Sequence, residues 1–259
     1  MAKKMINPKQ TKISRQSLAN RFVHWTTALS VLLLIITGLG QLPLYTRYNV
    51  TKLPGAEWLG NYFITINLHY LGGIGLLFAA SFHIVYAFAR REFDIFPRKG
   101  DMKESYLIIK AMLTKGKEPA SDKYLAEQRV AYLFIGLSLL LLIVTGLIKT
   151  FKNVPGVDLN LSLLYWNTAL HNIGTGLIFL GIIGHLAAFL LKENRPLLPG
   201  MFTGSINREY VKHRHSLWYA RLLSNGEIKE IKVDESQIQS SGVNSMNIKQ
   251  SDVDKSAPM

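Results

Sequence analysis

Two apolar stretches of the chain each carry a pair of histidines fourteen residues apart: His69 and His83 in HYLGGIGLLFAASFH, His171 and His185 in HNIGTGLIFLGIIGH. Imidazole is a metal ligand and a proton carrier. On an α-helix, fourteen residues rise about 21 Å and return to within about 40° of the starting direction. As helices, both stretches therefore present two imidazoles on one face, one toward each side of a bilayer. Ionisable groups at such depth are rare and mark functional sites. Two such helices facing each other form two stacked bis-histidine sites. That ligand set suits two b-type haems, an electron wire across a membrane.

Each histidine also has a plainer reading. His69 and His171, near the outer span ends, serve equally as interfacial residues bonded to backbone. Glycines beside them (Gly72, Gly73, Gly174, Gly176) allow a porphyrin to approach, but glycine is equally at home in helix packing. His83 and His185 lie deeper toward the cytoplasmic side, where a single histidine is usually a packed polar residue. Their matched spacing argues for ligation. His24 opens the first apolar run (Arg21-Phe-Val-His24-Trp25) at similar depth and competes with His83 for the inner site. Its counterpart in the second half is Tyr132, so symmetry favours His83. His213 and His215 fall in a basic tail (VKHRHSLWY) and read as solvated or near lipid headgroups. Arg90, Arg91 and Lys149 border the apolar runs, where snorkelling is the default and where haem propionates also want cations. The chain has no cysteine, which excludes disulfides, thiolate-held haem, covalent haem attachment and protein-held iron–sulfur clusters.

These residues need long helices to carry them. Four apolar runs reach the roughly 20 residues that cross a bilayer: Phe22–Leu42, Ile66–Ala89, Val130–Lys149 and Trp166–Leu191. No cleavable signal segment precedes the first. The net charge of +13 is patterned as in a membrane protein rather than a nucleic-acid binder. Residues 1–21 hold six Lys/Arg, 90–129 hold ten and 192–223 hold six, while the connections near 43–65 and 149–164 hold two each. This alternation predicts an even number of spans with both termini in the cytoplasm. Ser30–Leu39 (SVLLLIITGL) matches Ser138–Leu147 (SLLLLIVTGL) at an offset of 108, as Arg21 matches Arg129; His69 matches His171 and His83 matches His185 at an offset of 102. The fold class expected is an all-α membrane protein, a four-helix transmembrane bundle built from two repeated hairpins. Residues 1–21 form a cytoplasmic segment, 22–222 the membrane domain with its basic tail motif, and 223–259 a polar, disordered cytoplasmic tail. Met102–Lys117 reads as an amphipathic helix in the inner interface.

Arg-x-x-His24-Trp25, Leu68-His69 with Gly73 after it, His171-x13-His185 and the tail Gly204–Tyr219 (GSINREYVKHRHSLWY) together resemble the cytochrome b (gamma) subunit of respiratory formate dehydrogenases. That family belongs with the di-haem b-type cytochromes of nickel–iron hydrogenases. The resemblance covers roughly residues 15–222. The tail and Lys123-Tyr124-x-x-x-Gln128-Arg129 point to the formate dehydrogenase branch. The resemblance implies four spans and two haems b. It also implies an iron–sulfur partner subunit, a catalytic dehydrogenase subunit, and a quinone, menaquinone or ubiquinone, reduced near the inner haem. Carried over, His69 and His171 hold the outer haem, and His185 with His24 the inner one. His83 departs from that pattern, so His24 and His83 both stand as partners for His185. The family's Asn near the quinone falls here on Leu125, which leaves Gln128 or Glu127 as substitutes.

The expected function is a non-catalytic electron-transfer subunit of the cytoplasmic (inner) membrane. It carries electrons between an iron–sulfur subunit of formate dehydrogenase and a membrane quinone, among lipids and without nucleic acid. A cytochrome of a hydrogenase or another respiratory oxidoreductase, and a haem-free transporter or structural membrane protein, are the alternatives.

Overall fold

In hydrocarbon no water satisfies a backbone N–H or C=O, so an apolar run must close its hydrogen bonds within itself. The computed structural model describes residues 11–229. Along it run β1 (Lys12–Ser14), α1 (Leu18–Gln41), the single-turn α2 (Leu44–Arg47), α3 (Tyr62–Arg90), α4 (Asp101–Thr114), α5 (Ala126–Phe151) and α6 (Leu161–Ala187). Then follow α7 (Pro199–Thr203), β2 (Ser205–Asn207), α8 (Arg208–Arg214) and α9 (Ser216–Ser224). The four apolar runs are α1, α3, α5 and α6, each long and apolar enough to cross a membrane.

α1, α3 and α6 start earlier than the apolar runs because polar caps set their first turns. Ser17 accepts from Asn20 N at 3.1 Å, Asn61 from Ile64 N at 3.2 Å and Asn160 from Ser162 N at 2.7 Å. Each cap satisfies a backbone donor that the helix itself leaves open. α3 stops at Arg91, which takes the left-handed conformation.

Within each hairpin, small residues set the helix spacing. A Cβ on Gly75 would lie 2.6 Å from Ser30 Oγ, which brings α3 close to α1; one on Gly174 would lie 3.1 Å from Leu142. Gly72 likewise faces Leu34. Val31, Leu76 and Ile178 meet at mid-height with Leu34, Ile35, Ile135, Leu139, Leu142, Ile143 and Ile182, joining all four long helices in one apolar core.

The expected amphipathic helix is α4. It buries Asp101, Ser105, Ile108, Ala111 and Met112, a helical i, i+3, i+4 stripe, and leaves Met102, Tyr106, Leu107 and Leu113 exposed. Ile108 and Met112 pack with Leu125, Ala126 and Leu191. The buried Asp101 takes two bonds from Arg129, at 2.6 and 2.8 Å. That bonding holds its carboxyl below the usual carboxylate range.

Beyond the helices expected, β1 and β2 form a two-stranded antiparallel sheet with Ile13 opposite Ile206. It ties the segment before α1 to the segment after α6. Thr11–Ala220 form one unit. The described residues after it carry the end of α9 and a turn at Gly226. Residues 1–10 of the expected N-terminal segment and 230–259 of the expected tail lie outside the described residues.

Candidate haem-binding site

Two histidine pairs face each other across the bundle. The rings of His69 (α3) and His171 (α6) have centroids 6.5 Å apart; those of His24 (α1) and His185 (α6) are 6.2 Å apart. Such gaps are too wide for ring-to-ring hydrogen bonds. Metal–imidazole bonds of about 2 Å, with about 1 Å more from each nitrogen to its ring centre, give centroids about 6 Å apart around one metal ion. Among the described residues no group of three or more His, Cys, Asp or Glu gathers as a bare-metal site. A facing pair of imidazoles would suffice to hold a haem, because the macrocycle itself supplies the remaining ligands.

Threonines orient the first pair. Thr37 Oγ1 lies 3.0 Å from His69 Nδ1, and Thr145 Oγ1 lies 2.8 Å from His171 Nδ1. Glycines make room for the rings: a Cβ on Gly38 would stand 3.3 Å from His69 Cε1, and one on Gly146 3.6 Å from His171 Cε1. Of the glycines expected beside a porphyrin, Gly72 and Gly174 instead face leucines of the neighbouring helix, while Gly73 and Gly176 border open space. Asn167, one turn before His171, is buried and donates to Thr145 O at 3.0 Å. Lys149 Nζ donates to Thr168 Oγ1 at 3.1 Å, which brings a cation beside the same pair.

His83 does not face His185. Its Nε2 lies 2.8 Å from Tyr132 Oη, with the ring centroids 6.0 Å apart. Fourteen residues fall about 40° short of full turns. That shortfall swings His83 from α6 toward α5, and His185 from α3 toward α1. His24 is held there by its neighbours. Trp25 Nε1 donates to Met201 O at 3.1 Å and Arg21 Nη1 to Phe202 O. Arg21 and Trp25 thus anchor the start of α1 to α7, and His24 between them points inward. The α7–β2 turn behind them needs glycine: Gly204 has φ +81, and a Cβ there would lie 2.7 Å from Gln16 O.

The quinone substitutes separate. Gln128 Oε1 accepts from Arg15 Nη2 at 2.9 Å and from Leu125 N at 3.3 Å, which commits it to the helix start. Both carboxylate oxygens of Glu127 are buried without a hydrogen bond; the nearest cation is Arg214 Nη2 at 3.9 Å. Leu125 is fully buried.

A family model described as prokaryotic cytochrome b561 matches residues 15–204. The chain belongs to the prokaryotic cytochrome b561 family. Membership implies a membrane protein that binds haem b. Among curated proteins, it is 25% identical over 217 residues to the formate dehydrogenase cytochrome b556 subunit of Haemophilus influenzae, covering 81% of this chain and 83% of that one. It is 24% identical over 230 residues to the nitrate-inducible formate dehydrogenase cytochrome b556 subunit of Escherichia coli, covering 86% and 96%. The matched region contains all five histidines of the two facing pairs and of the Tyr132 contact.

The tail outside that match holds a departure from expectation. His213 is exposed and pairs loosely with Glu209, at 3.9 Å. His215, read above as solvated, is completely buried. Its Nδ1 donates to Asp122 O at 2.7 Å, and burial pushes its pKa down to about 4. Arg214 beside it donates to Glu118 at 2.8 Å and to Asn194 Oδ1 at 2.7 Å. The motif is a clamp on the loops before α5 and after α6, not a headgroup contact.

Proposed function

We propose that this chain is the membrane-anchoring cytochrome b subunit of a formate dehydrogenase complex, with two haems b, carrying electrons between an iron–sulfur subunit and a membrane quinone. The observation that carries the reading is the pair of face-to-face histidine sets at two levels of α6, fourteen residues and about 21 Å apart. His69 and His171 hold the outer haem. His185 holds the inner one with His24, because these rings have the spacing a shared iron requires and His83 is occupied by Tyr132. Two repeated hairpins account for the arrangement. Exchanging α1 with α5 and α3 with α6 turns the His24–His185 contact into Tyr132–His83. The charge alternation supports an inner-membrane topology with both termini cytoplasmic, and the names of the relatives support a formate dehydrogenase iron–sulfur and catalytic subunit as partners.

Haem b, when bound, supplies one-electron oxidation and reduction at each histidine pair. The protein's own part is to hold and insulate. The histidines fix two iron positions, and Val31, Leu76 and Ile178 exclude water from the level between them. Lys149 offers a positive charge to carboxylates beside His171. Glu127 suits quinone chemistry better than Gln128, because its oxygens accept no hydrogen bond and face only a distant Arg214, at 3.9 Å. Gly181 seats against Phe134 and Ile135. By that antiparallel register, Glu127 lies about one helical turn beyond the level of His185. A buried carboxyl there can hold a proton at Oε1 or Oε2 and pass it to a quinone oxygen.

The test is made in native membranes. The chain should co-purify with an iron–sulfur subunit, and formate should reduce its b-type absorbance. Co-purification with a hydrogenase, with reduction by hydrogen and not by formate, would replace the formate assignment. Absence of any haem absorbance would reject the cytochrome reading itself.

A further inference from the structure

We propose that Thr37 and Thr145 hold His69 and His171 as strongly donating ligands, so that the outer haem has a lower potential than the inner one. The proposal rests on the haem reading above.

A threonine hydroxyl has one hydrogen. Thr37 Oγ1 lies 2.7 Å from Leu33 O, and Thr145 Oγ1 lies 2.7 Å from Leu141 O. A carbonyl only accepts, so each hydroxyl hydrogen points to the carbonyl four residues back, a common disposition in helices. The same oxygens face His69 Nδ1 and His171 Nδ1 at 3.0 and 2.8 Å. They must accept there, and each Nδ1 must carry the hydrogen. A neutral imidazole has one N–H. Nε2, on the far side of the ring, is therefore left with its lone pair for a metal. Both threonines are buried, with 0% and 3% of their surface exposed, so water does not compete for the contact.

A ligand histidine that donates its second N–H to an acceptor is a more basic ligand. A more basic ligand favours ferric over ferrous iron and lowers the potential, second-shell hydrogen bonding being one of the protein's levers on haem. The other pair lacks this support. Among the described residues, neither His24 nor His185 has a hydrogen bond to a protein group; their ring neighbours are Trp25 at 5.3 Å and Phe189 at 5.9 Å. One pair is thus doubly supported and the other is not, which gives a potential step along the length of α6. The threonines stand 108 residues apart, so the device occurs once in each hairpin.

A potentiometric titration of the purified full-length cytochrome, followed by its visible absorbance, tests this. The wild type should titrate in two waves, and His171→Ala should remove the lower one. Thr37→Val and Thr145→Val should each raise the lower wave and leave the upper one in place, with a larger shift in the double variant. Thr37→Ser and Thr145→Ser, which keep the hydroxyl, should match the wild type. Should a valine variant lose the outer haem while its serine counterpart keeps it, the hydroxyl is shown to be required for ligation. A double valine variant with the lower wave unmoved would overturn the proposal. So would serine variants that shift it, or lose the haem, as valine does. A wild type with two haems and these failures refutes the threonine role alone; a wild type without haem refutes the reading beneath it.

Discussion

At the scale of single residues, His24 and His83 differ in what their neighbours do. Both are histidines at similar depth, and spacing and repeat symmetry pointed to His83. The rings that meet are His24 with His185, and Tyr132 with His83. A sequence gives angles along one helix and not the tilt between helices, so it could not say which neighbour a 40° shortfall would meet. Thr37 and Thr145 were visible only as polar letters inside a repeated apolar string. His215 carried no periodic signal at all, because α8 ends at Arg214 and the chain turns there. The buried state of His215 makes a pH prediction. Its folded pKa of about 4 lies below the unfolded value, so its contribution is fully present above about pH 6.5 and is lost as pH falls toward 4. The loss is on the order of 3 kcal/mol. The thermal unfolding midpoint in detergent should fall across this window, and His215→Gln should flatten the fall. At the other buried polar contact, Asp101→Asn removes the carboxylate bonded to Arg129 and leaves that buried cation the more distant Glu104, at 3.6 Å; it should destabilise the protein by about 3 kcal/mol, read by the same unfolding assay.

At the scale of elements, the spans and the amphipathic helix were legible because apolar length and periodicity are local properties. The β1–β2 sheet was not, since each strand is three residues long and its partner lies at the far end of the chain. Yet α7, which leads into this sheet, receives Arg21 and Trp25 on its carbonyls and so anchors the start of α1 on either side of His24. Gly204 is the most sensitive point of that assembly. Gly204→Ala would force a left-handed residue, at about 1–2 kcal/mol, and press its Cβ on a backbone oxygen. The variant should lose haem from the His24–His185 site first and keep the His69–His171 site, as read from haem content and the visible spectrum.

At the scale of the whole molecule, the four apolar helices and the charge alternation are the grounds for the topology proposed above, with both termini cytoplasmic. A reporter fused after Tyr219 should be active in the cytoplasm and silent in the periplasm; the reverse would reject this topology. The central claim is that two histidine pairs, and not three or one, hold two haems b. Haem quantitation on the purified chain and its His24→Ala, His83→Ala and His185→Ala variants tests it most directly. The account predicts two haems per chain in the wild type and in His83→Ala, and one in His24→Ala and His185→Ala. Two haems in His24→Ala with one in His83→Ala, or no haem in the wild type, would contradict it.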